Sequence, residues 1–198
     1  ETAITEPTAL LASVVIDSNV SCNGYLDGGA TASATGGVLP YTYGWSNGAT
    51  TASITGIFAG TYTVTVTDIN GATSTSNGTI TQPSTLQATA TSSSNVSCQG
   101  GNDGSASTIA TGGTSPYTYV WSNGSTSSSV SSLSAGTYTV TITDNNGCTV
   151  SSSVVLSQPA SLIASASETS SISSVLAADG QATASQIGGT APYTYVWN

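Results

Sequence analysis

The chain has 198 residues, of which 5% are charged; it contains nine acidic residues but no Lys, Arg or His, giving a formal net charge of −9. Nucleic-acid binding depends on cations that neutralise phosphates, so the composition excludes a nucleic-acid partner. The same absence of Lys and Arg argues against attraction to anionic lipid surfaces. No apolar run approaches the roughly 18 residues that a membrane span requires, so we expect no membrane insertion by this segment.

In chain order, the sequence predicts short β-strands separated by Gly, Asn and Pro. Strands are expected at residues 10–16, 30–35, 41–45, 52–54, 61–67 and 73–81, with strict alternation of Thr and larger residues in the fifth. Asn47-Gly48 and Asn70-Gly71 suit turn positions that require a positive φ. About six or seven short strands joined by such turns are typical of an immunoglobulin-like β-sandwich.

The same pattern then recurs along the chain. A Gly-Gly-Xaa-Xaa-Pro-Tyr-Thr-Tyr-Xaa-Trp segment begins at Gly36, again at Gly112 and again at Gly188, with 76 residues from each start to the next. A gapless period of this length indicates near-identical folded units. The predicted fold is therefore all-β, with tandem immunoglobulin-like β-sandwich repeats of a 76-residue period.

Phasing the period on proline sets the expected boundaries. Residues 8–83 form the first repeat, residues 84–159 the second, and residues 160–198 the N-terminal part of an incomplete third, while residues 1–7 match the last strand of a preceding repeat. We therefore expect the chain to be an excerpt of a longer array. Because Gln82-Pro83 and Gln158-Pro159 leave no linker between repeats, the sequence predicts a semi-rigid rod.

The motifs of the second repeat resemble the SprB-type repeat of very large surface adhesins from gliding Bacteroidetes-type bacteria. The residues that carry the resemblance are Cys98, Asp103-Gly104, Gly112-Gly113, Pro116 to Gly124 (Pro-Tyr-Thr-Tyr-Val-Trp-Ser-Asn-Gly), Leu133, Gly136, Tyr138, Val140, Asp144 and Gly147-Cys148. The resemblance implies display at the bacterial cell surface, export by the type IX route, and a non-catalytic role in adhesion or as a stalk.

The three cysteines of the sequence suggest a disulfide bond. Cys98 and Cys148 bracket most of the second repeat, and we expect a disulfide between them. At the position that matches Cys148, the first repeat has Ala72, which leaves Cys22 as an unpaired thiol. Cys22 is then either a buried small hydrophobic residue or an intermolecular link between arrays.

Aromatic residues form a stripe in the third predicted strand of each repeat. Residues two apart in a strand share a face, so the rings of each stripe point the same way. Two interpretations stay open: the stripe packs in the sandwich core, or it is exposed and binds sugar rings. The residues concerned are Tyr41, Tyr43 and Trp45, with Tyr117, Tyr119 and Trp121 in the second repeat.

Aspartates at turns are weak candidates for a calcium site. Their oxygens could bind Ca²⁺, but Asp before Gly is also ordinary turn chemistry, and we expect no cofactor and no catalytic residue. The five candidates are Asp27, Asp68, Asp103, Asp144 and Asp179.

Together these features predict a non-catalytic stalk or spacer segment of a secreted adhesin at the bacterial cell surface, with neighbouring repeats as its partners. The alternative is a structural subunit of an extracellular filament, in which identical chains associate. A third hypothesis makes each repeat a carbohydrate-binding module for surface polysaccharide, which requires an exposed aromatic stripe.

Overall fold

The computed structural model describes residues 6–197, and the expected strand at residues 1–7 lies mostly outside this range. The prediction of an all-β fold is confirmed, since every regular element within residues 6–197 is a strand. No helix long and apolar enough to cross a membrane occurs among the described residues. The strands are β1 (Leu11–Ser18), β2 (Gly28–Thr35), β3 (Thr42–Trp45), β4 (Ser53–Ile57), β5 (Gly60–Thr67), β6 (Thr73–Ile80), β7 (Gln87–Ser94), β8 (Gly104–Thr111), β9 (Thr118–Trp121), β10 (Ser129–Leu133), β11 (Gly136–Thr143), β12 (Thr149–Leu156), β13 (Ile163–Ser170) and β14 (Gln181–Ile187).

Contacts divide the chain into two compact units. The first unit extends to Gln87 and also contains two segments from later in the chain, Thr111–Tyr117 and Thr143–Thr149. The second unit contains Ala88–Ala110, Thr118–Ile142 and the residues from Val150 onward. Segments of the second repeat are therefore part of the unit formed by the first repeat.

The first six strands form two three-stranded sheets, in the orders β1-β2-β4 and β3-β5-β6. Their pairing is antiparallel, and β5 pairs with β6 without a register shift from Gly60–Ile80 to Thr67–Thr73. In immunoglobulin lettering the sheets are A-B-E and C-F-G, which is the constant-type sandwich without its D edge strand. This topology confirms the immunoglobulin-like fold.

Strand alternation supplies the core between these sheets. In β5, Val64 and Val66 are fully buried, while Thr63 before them and Thr65 between them are exposed. Tyr62 forms the corner that is typical of the fold, since its hydroxyl donates to the carbonyl oxygen of Phe58 at 3.1 Å. The buried residues of this core are Ala12, Val20, Ala30, Ala32, Trp45, Ile54, Ile57, Val64, Val66 and Ile80.

The later strands repeat this order. Two further sheets have the orders β10-β8-β7 and β12-β11-β9, and β13 pairs with β14 in a two-stranded sheet. Tyr138 makes the matching corner, donating to the carbonyl oxygen of Ser134 at 3.1 Å. In the strand that matches β1, Ile163 is exposed, as is Trp197 further along the chain.

Candidate functional site

The one disulfide among the described residues joins Cys22 to Cys148. Cys22 lies in the loop between β1 and β2, and Cys148 immediately precedes β12. Their Cα atoms are 5.8 Å apart, and 126 positions separate them in sequence. Both residues belong to the first compact unit, and Cys98 is a free, exposed thiol. The covalent bond therefore links the first repeat to the second.

The expected Cys98–Cys148 disulfide and the expected free thiol at Cys22 are both wrong. Val96 donates its backbone N–H to the carbonyl oxygen of Ser157, which places the Cys98 loop beside the C-terminal end of β12. Cys148 lies before the N-terminal end of the same eight-residue strand. Eight residues of strand span about 26 Å, whereas a disulfide requires Cα atoms less than about 7 Å apart.

Cys148 is held by the turn that begins at Asp144. One carboxylate oxygen of Asp144 accepts hydrogen bonds from the backbone N–H groups of Asn146 and Cys148, each at 2.9 Å. Its other oxygen accepts from the N–H of Thr114, also at 2.9 Å. Burial alone would raise the pKa of Asp144, but these N–H donors hold the pKa below its ordinary value of 3.8. The ionised carboxylate thus fixes the conformation of the turn.

A double glycine makes room for this turn. Gly113 has a φ of +59°, and a Cβ added there would lie 2.7 Å from a carboxylate oxygen of Asp144. At Gly112 a Cβ would lie 2.1 Å from the carbonyl oxygen of Thr85. Any larger residue would collide at both positions, which explains the Gly-Gly pair in the repeated motif.

The turn also touches the first repeat beyond the disulfide. The side-chain amide of Asn146 donates to the carbonyl oxygen of Ser21 at 2.8 Å and to the hydroxyl of Thr114 at 3.1 Å. We call Ser21, Cys22, Thr114 and the turn Asp144–Cys148 the clasp; all of them lie in the first compact unit. Sequence reasoning missed Ser21, Thr114 and Asn146, because Asp-Xaa-Asn-Gly reads as a solvent-exposed turn.

The peptide segment that connects the two repeats is also held by hydrogen bonds to the loop that contains Cys22. The backbone N–H of Gly24 donates to the side-chain oxygen of Gln82 at 2.8 Å, and the amide of Asn23 donates to the carbonyl oxygen of Pro83 at 3.0 Å. The hydroxyl of Thr85 donates to the side-chain oxygen of Asn23 at 3.1 Å. The loop that holds Cys22 is therefore bonded to the chain on both sides of the repeat boundary.

The five aspartates considered for calcium fall into two structural classes. Asp68 repeats the role of Asp144, accepting from the N–H groups of Val38, Asn70 and Ala72, each at 2.9 Å. Burial alone would raise the pKa of Asp68, but the N–H donors hold this pKa below its ordinary value of 3.8. No group of three or more His, Cys, Asp or Glu side chains suited to a metal ion occurs in residues 6–197.

The second class of aspartate closes the loop after the first strand of each repeat. Asp27 accepts hydrogen bonds from the hydroxyl and from the backbone N–H of Ser21. Both bonds lower the pKa of Asp27, and the bond from the hydroxyl has the larger effect. Hydrogen bonds from the matching serines likewise lower the pKa of Asp103 and Asp179. Asp27 and Asp103 therefore shape the loops that hold Cys22 and Cys98, and Asp179 shapes the matching loop of the third repeat, which has Ser174 in place of the cysteine.

The aromatic stripes lie against the sandwich cores. Trp45 and Trp121 are buried, and their indole N–H groups donate to the carbonyl oxygens of Thr51 and Ser127 at 2.9 and 2.8 Å. The remaining stripe residues are half-buried, namely Tyr41, Tyr43, Tyr117 and Tyr119. The hydroxyl of Tyr117 donates to the carbonyl oxygen of Gly112 at 2.6 Å, so this ring also supports the double-glycine segment.

Trp121→Ala is expected to lower the free energy of unfolding of the second sandwich by about 3–5 kcal/mol, because it leaves a large cavity in the core. Val120→Ala, an exposed position on the same strand, is the matched control and should change stability by less than about 0.5 kcal/mol. Chemical denaturation followed by circular dichroism measures both. Equal stability of the two variants would contradict the core position of Trp121.

A comparison with known protein families finds a match to the chain. The family model described as SprB repeat matches three segments of the chain, residues 15–50, 90–126 and 176–198. The resemblance stated from the sequence is therefore confirmed. No curated protein matches the chain.

Solved structures that are similar to the chain include the following two. One is an amphioxus IgVJ-C2 molecule, which is 15% identical, with 75% of this chain and 97% of that chain covered and a TM-score of 0.31. The other is a chain of Dpr2 Ig1-Ig2 in complex with DIP-Theta Ig1-Ig3, which is 10% identical, with 77% and 68% covered and a TM-score of 0.31. At these values neither structure bears on what the chain does.

Proposed function

We propose that this chain, which contains three SprB repeat segments, is a non-catalytic stalk or spacer segment of a secreted adhesin at a bacterial cell surface. The observation that carries the proposal is the bond between Cys22 and Cys148, because it joins one repeat to the next rather than two parts of one repeat. A stalk transmits force from one repeat to the next, so its junctions are where covalent reinforcement has the greatest effect.

The disulfide shortens the covalent path along which force travels through the chain. Under tension applied at the two ends, force enters at β1, crosses the bond from Cys22 to Cys148 and leaves through β12. Residues 23–147 lie within the closed loop and are removed from the path, so they cannot be pulled straight while the bond is intact. The disulfide therefore limits how far the segment extends under load.

Other features support a passive surface over a binding or catalytic one. The chain has no Lys, Arg or His with which to activate a nucleophile. A carbohydrate-binding role gains less support, because the indole rings of Trp45 and Trp121 are buried and a sugar ring has no access to them.

One observation favours the filament as a second candidate. Cys98 is exposed and carries a free thiol, so it is placed to form a covalent bond with another polypeptide. A filament of identical chains would use such a bond between subunits, whereas a stalk would use it between consecutive repeats.

Electron microscopy of native cells with gold-labelled antibodies against residues 6–197 separates these proposals. A stalk predicts label along thin, variably bent strings that are rooted at the cell surface. Label on ordered fibres with a fixed helical repeat would show a filament and contradict the stalk, and label confined to the cell interior would contradict both. Cells that lack the gene are the matched control for antibody specificity.

A further inference from the structure

A groove of about 380 Å³ opens beside Cys98 in the second compact unit. Its lining includes Ser97, Cys98, Leu162, Gly189 and Thr190. Each of these residues lies 76 positions after a residue at or beside the clasp, in the order Ser21, Cys22, Leu86, Gly113 and Thr114. The groove is thus built from the same residue types that surround the Asp144–Cys148 turn, and no such turn occupies it.

The cysteine side of the groove has the same conformation as the occupied clasp. The N–H of Ser97 donates to Asp103 at 3.0 Å, as Ser21 does to Asp27 at 3.1 Å. The N–H of Gly100 donates to the side chain of Gln158 at 2.8 Å, as Gly24 does to Gln82 at the same distance. The Cys98 loop is therefore already folded as the bonded Cys22 loop is.

The opposite side of the groove matches as well. The N–H of Gly189 donates to the carbonyl oxygen of Ala160 at 2.9 Å, and the hydroxyl of Tyr193 donates to the carbonyl oxygen of Gly188 at 2.7 Å. Gly189 has a φ of +64°, close to that of Gly113. Next to Gly113 stands the carboxylate of Asp144, whereas the nearest neighbours of Gly189 are side-chain carbons of Leu162 and Tyr193. The place beside Gly189 that corresponds to the Asp144 carboxylate is therefore available to the carboxylate of another turn.

We propose that this groove binds an Asp-Xaa-Asn-Gly-Cys turn from the C-terminal part of the third repeat of the array, at the place that matches Asp144–Cys148, and that Cys98 forms a disulfide with the cysteine of that turn. The proposal rests on the tandem array of the proposed function but not on its location at a cell surface. In the occupied clasp, Thr114 N–H binds the turn aspartate, the Ser21 carbonyl oxygen binds the turn asparagine, and Cys22 binds the turn cysteine. Thr190, Ser97 and Cys98 offer the same three groups.

The bond needs an oxidant, and a small-molecule disulfide such as oxidised glutathione serves. The two protein thiols become one protein disulfide, and oxidised glutathione is reduced to two glutathione thiols, so two electrons and two protons leave the protein. Cys98 and Cys148 would then each belong to a different inter-repeat bond. Successive repeats would be linked in a ladder, each with the next.

The test extends the full chain in two ways. One extension places a copy of residues 123–159 after residue 198, which completes the third repeat with a cysteine at the place of Cys148. The matched control uses a copy of residues 47–83, which completes the same strands but has Ala72 at that place. Both proteins are purified in the presence of oxidised and reduced glutathione.

We expect no free thiol in the first extended protein and one in the control, with mass spectrometry locating the new bond at Cys98. In the control, reaction of Cys98 with a maleimide should slow at least tenfold relative to the original chain, because the turn covers the groove even without a bond. A free Cys98 in the first protein, disulfide-linked dimers in place of the internal bond, or unchanged reactivity in the control would each overturn the proposal. These readouts are independent of where the native protein is found.

Discussion

Replacing Cys22 and Cys148 together by serine is expected to lower the free energy of unfolding of the first compact unit by about 5 kcal/mol. The bond joins positions that are 126 apart, and on the chain-entropy estimate a loop of this size restricts the unfolded chain by about that amount. For a unit of about 100 residues, such a loss lowers the melting temperature by roughly 20–40 °C. Calorimetry of the intact chain and of the double variant measures the difference.

The matched control is Cys98→Ser, which removes the exposed, unbonded thiol and should change stability by less than about 0.5 kcal/mol. Reduction of the unmodified chain should reproduce the loss seen in the double variant and should have no further effect on that variant. A destabilised Cys98→Ser variant together with a stable double variant would contradict the clasp.

Stretching single molecules from their ends should give a contour length about 450 Å shorter when the disulfide is intact than after reduction. The bond encloses residues 23–147, and an extended chain spans at most about 3.6 Å per residue. The double serine variant should extend fully under both conditions, because it has no closed loop.

The Cys98–Cys148 bond expected from the sequence would shorten the chain by less than half as much, since it would enclose only residues 99–147. Force spectroscopy therefore distinguishes the two pairings as well as testing the mechanical role. Equal contour lengths before and after reduction would contradict any internal disulfide, and with it the reinforced junction.

Much of the fold could be predicted because it depends on local pattern. Alternating Thr and Val residues in β5 place Val64 and Val66 on one face, and that face is the core. The Gly-Gly pair marks a conformation and a close approach that other residues do not tolerate, and the structure places Gly112 and Gly113 at such a site. These signals involve neighbours in sequence or in the same sheet.

The cysteine pairing could not be found in this way, because it depends on how one repeat follows another. Three cysteines allow three pairings, and a period of identical units favours the pair that lies within one unit. The direction of the strands is the sequence signal that argues against a bond between Cys98 and Cys148. Cys98 follows the first strand of its repeat and Cys148 precedes the last, and the hydrogen bond from Val96 to Ser157 places them at opposite ends of β12.

The polar part of the clasp was hidden for a related reason. Asn146 belongs to a turn motif that is common at exposed positions, and only its 2.8 Å bond to Ser21 O, 125 positions away, reveals its role. Ser21 is a small polar residue in a chain rich in serine. No local pattern distinguishes a serine whose carbonyl oxygen accepts a bond from another repeat.

Mapping of the disulfide in the unreduced chain is the most direct test of the bond between the first and second repeats. Because the chain lacks Lys and Arg, trypsin has no cleavage site, so chymotrypsin is used and the linked peptides are identified by mass spectrometry. We expect a peptide with Cys22 joined to a peptide with Cys148, and a free thiol at Cys98. A peptide with Cys98 joined to Cys148, and a free thiol at Cys22, would contradict this pairing.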